Sequence, residues 1–238
     1  MATQEPRIVR GRVELIVPYQ KGEVAFAHPF FGANTYRNVG QEILSKGQLI
    51  PTGDQMASFI HSAYCSELKD EPEFKEVRDI MRSNWFWVFN RNLWTKDGFY
   101  VVQDPKAIGR SQPLDQNELE KMLSDSKEIN GVSFSRDNKV RFAPISTYDL
   151  ETNGYKALAK NGVVIANYGA EGAEKLSEVS STFKGKPYVY GLKTQTPEQR
   201  VSALDGDRYF GNGLVVDGSF DDSRFGRGVG VLHSEKSK

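Results

Sequence analysis

The sequence predicts an α+β fold: a mainly antiparallel sheet built from hairpins, with helices packed on it. Three observations carry this. Two pairs of β-rich runs are joined by short turns, Trp85–Trp94 to Phe99–Val102 across Asp97-Gly98, and Val132–Phe134 to Val140–Phe142 across Asp137-Asn138. An Asp-Gly between two such runs is a strong local hairpin signal. Three amphipathic helical stretches lie between residue 34 and the first hairpin. Phe and Tyr, at 14 and 10 residues, supply the aromatic mass that suits pleated surfaces.

Taken in order, Arg7–Pro18 alternates, with Val9, Val13, Leu15 and Val17 on one side and Arg10, Arg12 and Glu14 on the other, and reads as a half-exposed strand. Asn34–Lys46 reads as a short helix stopped by Gly47. Thr52 and Gln55 form a T-x-x-Q capping box after Pro51, and Met56, Phe59, Ile60 and Ala63 make the apolar stripe of the helix that follows. Pro72 opens a third helix with Phe74, Val77, Ile80 and Met81 inward. Leu119, Met122 and Leu123 mark a weaker helix, and Tyr155–Lys160 looks helical. Val163–Ala166 reads as a buried strand, Ala170–Phe183 as a helix and Tyr188–Tyr190 as a strand, which together suggest one βαβ unit in the C-terminal half. A single domain over residues 5–232 is expected, and a lobe boundary, if present, falls near residues 144–154.

Composition excludes several classes. Lys+Arg and Asp+Glu both number 31, so the chain lacks the basic excess that an extended duplex DNA footprint requires. Cys65 is the one cysteine, which excludes an internal disulfide and multi-cysteine zinc modules. The start Met1-Ala-Thr-Gln-Glu-Pro6 lacks the charged and apolar runs of a secretion signal, and no stretch approaches the roughly 20 apolar residues of a membrane span. A cytoplasmic protein without membrane contact is the expectation.

The chemistry-bearing candidates cluster near the C-terminal end. Asp205, Asp207, Asp217, Asp221 and Asp222 lie on a glycine-rich stretch with Arg208 and Arg224. Carboxylates so crowded need a cation, an arginine or a ligand to compensate them. Asp217, Asp221 and Asp222 are the candidate ligands of Mg²⁺ or Ca²⁺, although their spacing is not that of a calcium loop. Arg208 and Arg224, with Asn34, Tyr36 and Arg37 from the polar helix start, are the candidate contacts to an anionic substrate. His28 would shuttle protons, and Asp207 and Asp217 would orient a nucleophile. The competing account makes the Asp-Gly steps structural turns whose arginines pair with the aspartates.

Other motifs favour structural roles. Gly226–Gly230 reads as close packing of a final strand, because no helix follows it to make a phosphate loop. Gly169–Gly172 reads as a tight strand-to-helix turn, since Glu171 and Glu174 already satisfy the helix dipole. His61 and Cys65 share a helix face that reads as buried, with no further ligand to complete a metal site. Trp85, Trp87 and Trp94 read as core of a central strand. The alternative is a stacking platform flanked by basic hairpin edges, among them Arg136, Lys139 and Arg141.

Two functions follow. The first is an enzyme or receptor for a small anionic, phosphate-bearing ligand, with or without a divalent cation. The alternative is a non-catalytic binding module for single-stranded nucleic acid or a protein partner.

Overall fold

The computed structural model describes residues 7–9, 14–206 and 212–232. Strands β1 (Arg7–Val9), β2 (Glu14–Tyr19) and β3 (Gly22–Ala27) form a three-stranded antiparallel sheet. The alternating N-terminal segment is therefore two paired strands, with Ile8 opposite Leu15, and residues 10–13 fall outside the described residues.

Then come β4 (Phe31–Asn34), α1 (Tyr36–Ser45), α2 (Gly53–Cys65) and α3 (Pro72–Ser83). Next are β5 (Trp85–Trp94), β6 (Gly98–Gln103), α4 (Gln116–Met122), β7 (Lys127–Ile129), β8 (Val132–Phe134) and β9 (Val140–Pro144). The chain continues through β10 (Glu151–Thr152), α5 (Tyr155–Leu158), α6 (Gly162–Ser180) and β11 (Tyr188–Tyr190). It closes with β12 (Glu198–Gly206), β13 (Leu214–Phe220) and β14 (Gly226–Gly228). A large sheet runs β10-β11-β13-β12-β5-β6-β9-β8-β7, and β14 bridges β5 to β4 at its side. Neighbours are antiparallel except β11 with β13 and β14 with β5.

Strand β5 divides the core by its pleat. Phe86 and Val88 join Leu204 and Val216 in a cluster under α2, α3 and α6. Trp87 and Phe89 point the other way, with Val201 and Ala203, beneath Tyr36, Val39 and Ile43 of α1. Each such side chain contributes about 1.5–3 kcal/mol on burial, so the two faces together fix the register of β5 against β12. A buried polar knot reinforces it: Asn167 Oδ1 accepts from Ser202 Oγ at 2.6 Å and from Asn90 Nδ2 at 3.2 Å. Asn92 Nδ2 donates to Ser202 Oγ and to the Gly218 carbonyl, both at 2.8 Å.

Local chemistry sets the helix ends. Thr52 Oγ1 accepts from Gln55 N at 3.2 Å while Gln55 Oε1 accepts from Thr52 N at 2.9 Å, a closed capping box at the start of α2. The helix expected from Asn34 begins at Tyr36, because Thr35 is its cap and Asn34 ends β4.

The strand expected at Val163–Ala166 is instead the opening of α6. Asn161 caps that helix through Val163 N at 3.0 Å, and all four apolar residues are buried, which hides the helical period. Gly169 then breaks the helix with φ +72°. The 170–180 helical segment is preceded directly by helix and not by a strand, so the βαβ unit expected from Val163 to Tyr190 is not formed.

The last described residues return to the beginning of the fold. Ala27 N donates to the Gly230 carbonyl and Leu232 N to the Ala25 carbonyl, both at 2.9 Å, while Val231 and Leu49 exchange two bonds of 2.8 Å. The glycines of this run are required by contact. A Cβ at Gly226 would stand 2.3 Å from Trp85 Nε1, and one at Gly228 2.4 Å from Val39 Cγ1.

Candidate functional site

The candidate residues that meet do so at one corner, where the start of α1 touches the turn after β13. Tyr36 is buried there, and its hydroxyl donates to Asp104 Oδ2 at 3.0 Å. Burial, then the Asp104 charge, hold this phenol well above its ordinary range. The Asp104 carboxyl is itself pushed up by burial, against the opposing pull of the Gly109 N–H and the Arg91 guanidinium. The backbone joins in, since Tyr36 N donates to the Asp222 carbonyl at 3.2 Å.

Arg110 locks the turn from the far side. Its backbone N–H donates to Asp222 Oδ2 at 2.8 Å and its Nε to Asp222 Oδ1 at 3.2 Å. Its Nη2 reaches Asp221 Oδ1 at 3.4 Å. The Asp221 carboxyl is lowered, first by the Ser223 N–H and also by Arg110 and Arg200. Gly109 is obligatory, because its φ is +56° and a Cβ would stand 2.7 Å from Asp222 Oδ2. Gln199 pins the same loop by donating to the carbonyls of Gly109 and Gln112, at 3.3 and 3.1 Å.

Around this clamp the remaining candidates divide. Asn34 is spent on structure: its Oδ1 accepts from Thr35 N and Asn38 Nδ2, and its carbonyl accepts from Trp87 Nε1. Arg37 and Arg224 are exposed, and neither has an ion-pair partner among the described residues. Phe225, next to Arg224, is 59% exposed. The exposed Lys106 belongs to the corner as well, since its carbonyl accepts from Gln41 Nε2, one turn of α1 beyond Arg37.

Other candidates lie apart from it. Asp217 accepts from Ser219 N at 2.7 Å and Ser219 Oγ at 2.9 Å, closing its own turn, and burial pushes its carboxyl up to about 6. His28 Nε2 meets Glu76 Oε2 of α3 at 2.7 Å. Asp207 and Arg208 lie outside the described residues. Among the described residues no three His, Cys, Asp or Glu side chains come together as a metal site, so Asp217, Asp221 and Asp222 do not converge. Arg110 takes the place that a cation would have at Asp221 and Asp222.

The structure also answers the other motifs. At the kink of α6, a Cβ on Gly169 would stand 2.4 Å from Asp54 Oδ1, so a carboxylate already occupies the mouth of the 170–180 helical segment. Asp54 is gripped by Arg141 through Nη1 at 3.1 Å and Nη2 at 2.6 Å, beside a cavity of about 220 Å³. Arg141 is only 4% exposed, so of the basic edge offered as the alternative, Arg136 and Lys139 are at the surface and Arg141 is not. Arg136 pairs with Asp125, and Lys139 with Asp137. Trp87 and Trp94 are fully buried, while Trp85 packs on Phe220 with ring centroids 4.7 Å apart. His61 pairs with Glu178 at 2.8 Å, and Cys65 lies at the surface rather than on a buried face.

Arg110, Asp104 and Gln199 carried no sequence signal. They sit in loop and strand positions whose partners are distant in the chain, and Arg110 and Asp222 are separated by 112 positions.

No protein-family model matches the chain, and no curated protein matches it. Among solved structures it is similar to one described under the words "Accommodation of massive sequence variation in Nanoarchaeota by the C-type lectin fold". The match has a TM-score of 0.50 at 12% identity and covers 86% of this chain and 97% of that one. At that identity the likeness is one of fold: helices on a large mixed sheet, in a C-type-lectin-like arrangement.

Proposed function

We propose that this protein is a non-catalytic binding module that receives an anionic ligand at the corner between α1 and the Asp221–Phe225 turn. The carrying observation is the contrast within that corner. The backbone is clamped by Arg110, Asp222, Tyr36 and Asp104, whereas Arg37 and Arg224 stand exposed on it without ion-pair partners among the described residues. A rigid support with free guanidinium groups is the preorganised form of an anion receptor. The similar structure's description speaks of a fold that accommodates massive sequence variation. Carried to this chain, it favours a scaffold whose surface residues specialise for recognition.

The test is a thermal-shift panel of inorganic phosphate, nucleotides, sugar phosphates, short single-stranded oligonucleotides and a polyglutamate peptide, at low and high salt. Stabilisation by one or more anions at low salt is expected, and its loss in Arg37→Ala/Arg224→Ala at unchanged melting temperature. A panel without any shift, or shifts that persist in the double variant, would overturn the reading.

A second reading retains Asp217 as an acid–base group, on the strength of a carboxyl raised to about 6. It requires turnover, read as hydrolysis of a chromogenic phosphate ester that Asp217→Asn abolishes. Equal rates in wild type and variant would dispose of it.

A further inference from the structure

We infer that the natural occupant of the α1 corner is an acidic segment of a protein partner that also carries an apolar side chain, rather than a free small anion. This rests on the anion-receptor reading and narrows it. At the corner Arg91 is paired with Asp104 and Arg200 with Glu198, which leaves Arg37, Lys106, Arg110 and Arg224 against the carboxylates Asp221 and Asp222. Arg110 is consumed by those carboxylates, which leaves the exposed charges positive and the complementary surface acidic.

Phe225 favours a ligand that has an apolar part beside its charge. It is the most exposed of the large apolar side chains described, at 59%, and it adjoins Arg224 in sequence. Inorganic phosphate would leave that ring in water, and a nucleic acid could stack only one base on it, since Trp87 and Trp94 are buried, whereas a peptide can neutralise the guanidiniums and cover the phenyl group together. Arginine beside an aromatic is also the composition of interface hot spots, where a few residues carry most of the affinity. The turn that presents both is held from within, by Ser223 N to Asp221 Oδ1 at 2.9 Å and by Arg110 to Asp222, so little ordering accompanies capture.

The experiment pans a random twelve-residue phage-displayed peptide library on the full-length protein, with Arg37→Ala/Arg224→Ala as the counter-selection. Affinities of the enriched peptides are then measured against wild type, the double variant and Phe225→Ser. Peptides rich in Asp or Glu that also carry a Leu, Ile, Phe or Trp are expected. Their binding should be salt-sensitive, abolished in the double variant and weakened about tenfold in Phe225→Ser. Acid-only peptides that ignore Phe225→Ser but need the arginines would leave the anion receptor standing and overturn the protein-segment inference. Enrichment indifferent to both variants, or none above the counter-selection, overturns the inference as well. Phosphate binding in the thermal-shift panel separates that last outcome from failure of the receptor reading.

Discussion

Arg110 and Asp222 are joined twice, by backbone N–H and by guanidinium, so one carboxylate fastens the loop after β6 to the turn after β13. The Arg110 N–H is a fixed donor that loses its partner when the carboxylate is removed. Asp222→Ala is expected to destabilise the fold by about 1–2 kcal/mol, discounted for partial exposure of the pair. In a chain of this size that lowers the melting temperature by a few degrees, whereas Asp222→Asn, which retains an acceptor, should lower it less. Calorimetry of both variants reads the difference, and equal losses would mean the charge rather than the acceptor is what matters.

Asp54 and Arg141 form a charged pair in which the arginine is buried, and removing one partner strands the other. Asp54→Ala should therefore cost about 3–5 kcal/mol, and Asp54→Ala/Arg141→Met should recover much of it. Urea denaturation of the two single variants and the double variant measures the coupling. Additive losses would show that the pair acts as two independent side chains.

Gly169 combines a positive φ with an occupied Cβ position against Asp54. Gly169→Ala should cost at least about 1–3 kcal/mol, more than a helix-favouring substitution would return. If the variant is instead more stable in denaturant titrations, the kink in α6 is not maintained in solution.

Asp217 has a folded-state value near 6, above the ordinary carboxyl value of 3.8. A raised carboxyl favours folding in its protonated form, so its contribution is fully present below about pH 4 and is lost as pH rises through about 6. Asp217→Asn should match the wild type in stability near pH 4 and exceed it near pH 7.5 by on the order of 1–3 kcal/mol. Stability curves of the two proteins between pH 4 and pH 8 that run parallel would refute the buried-carboxyl assignment.

Legibility in the sequence followed the range of the interaction. The α2 start was readable because Thr52 and Gln55 lie three apart and close their box without outside help. The β5–β6 turn was readable for the same reason, its Asp97-Gly98 being a local signal. Val163–Ala166 was misread because a short apolar run enclosed on all sides has no period to betray it. Half of the corner was legible: Tyr36, Arg37, Asp221, Asp222 and Arg224 stood out by composition. The other half, Asp104 and Arg110, was not, because only the folded sheet brings that loop to the turn.

The bonds from Ala25, Ala27 and Leu49 to Gly230, Val231 and Leu232 tie the last described residues to an early part of the fold. Such pairings span about two hundred positions, among the longest separations in the described residues, so their loop-closure entropy is met late. On a ribosome, β3 and the Leu49 segment would wait for nearly the entire described chain before gaining these partners. Their exposed edges are then where a chaperone, or a neighbouring nascent chain, would first find purchase.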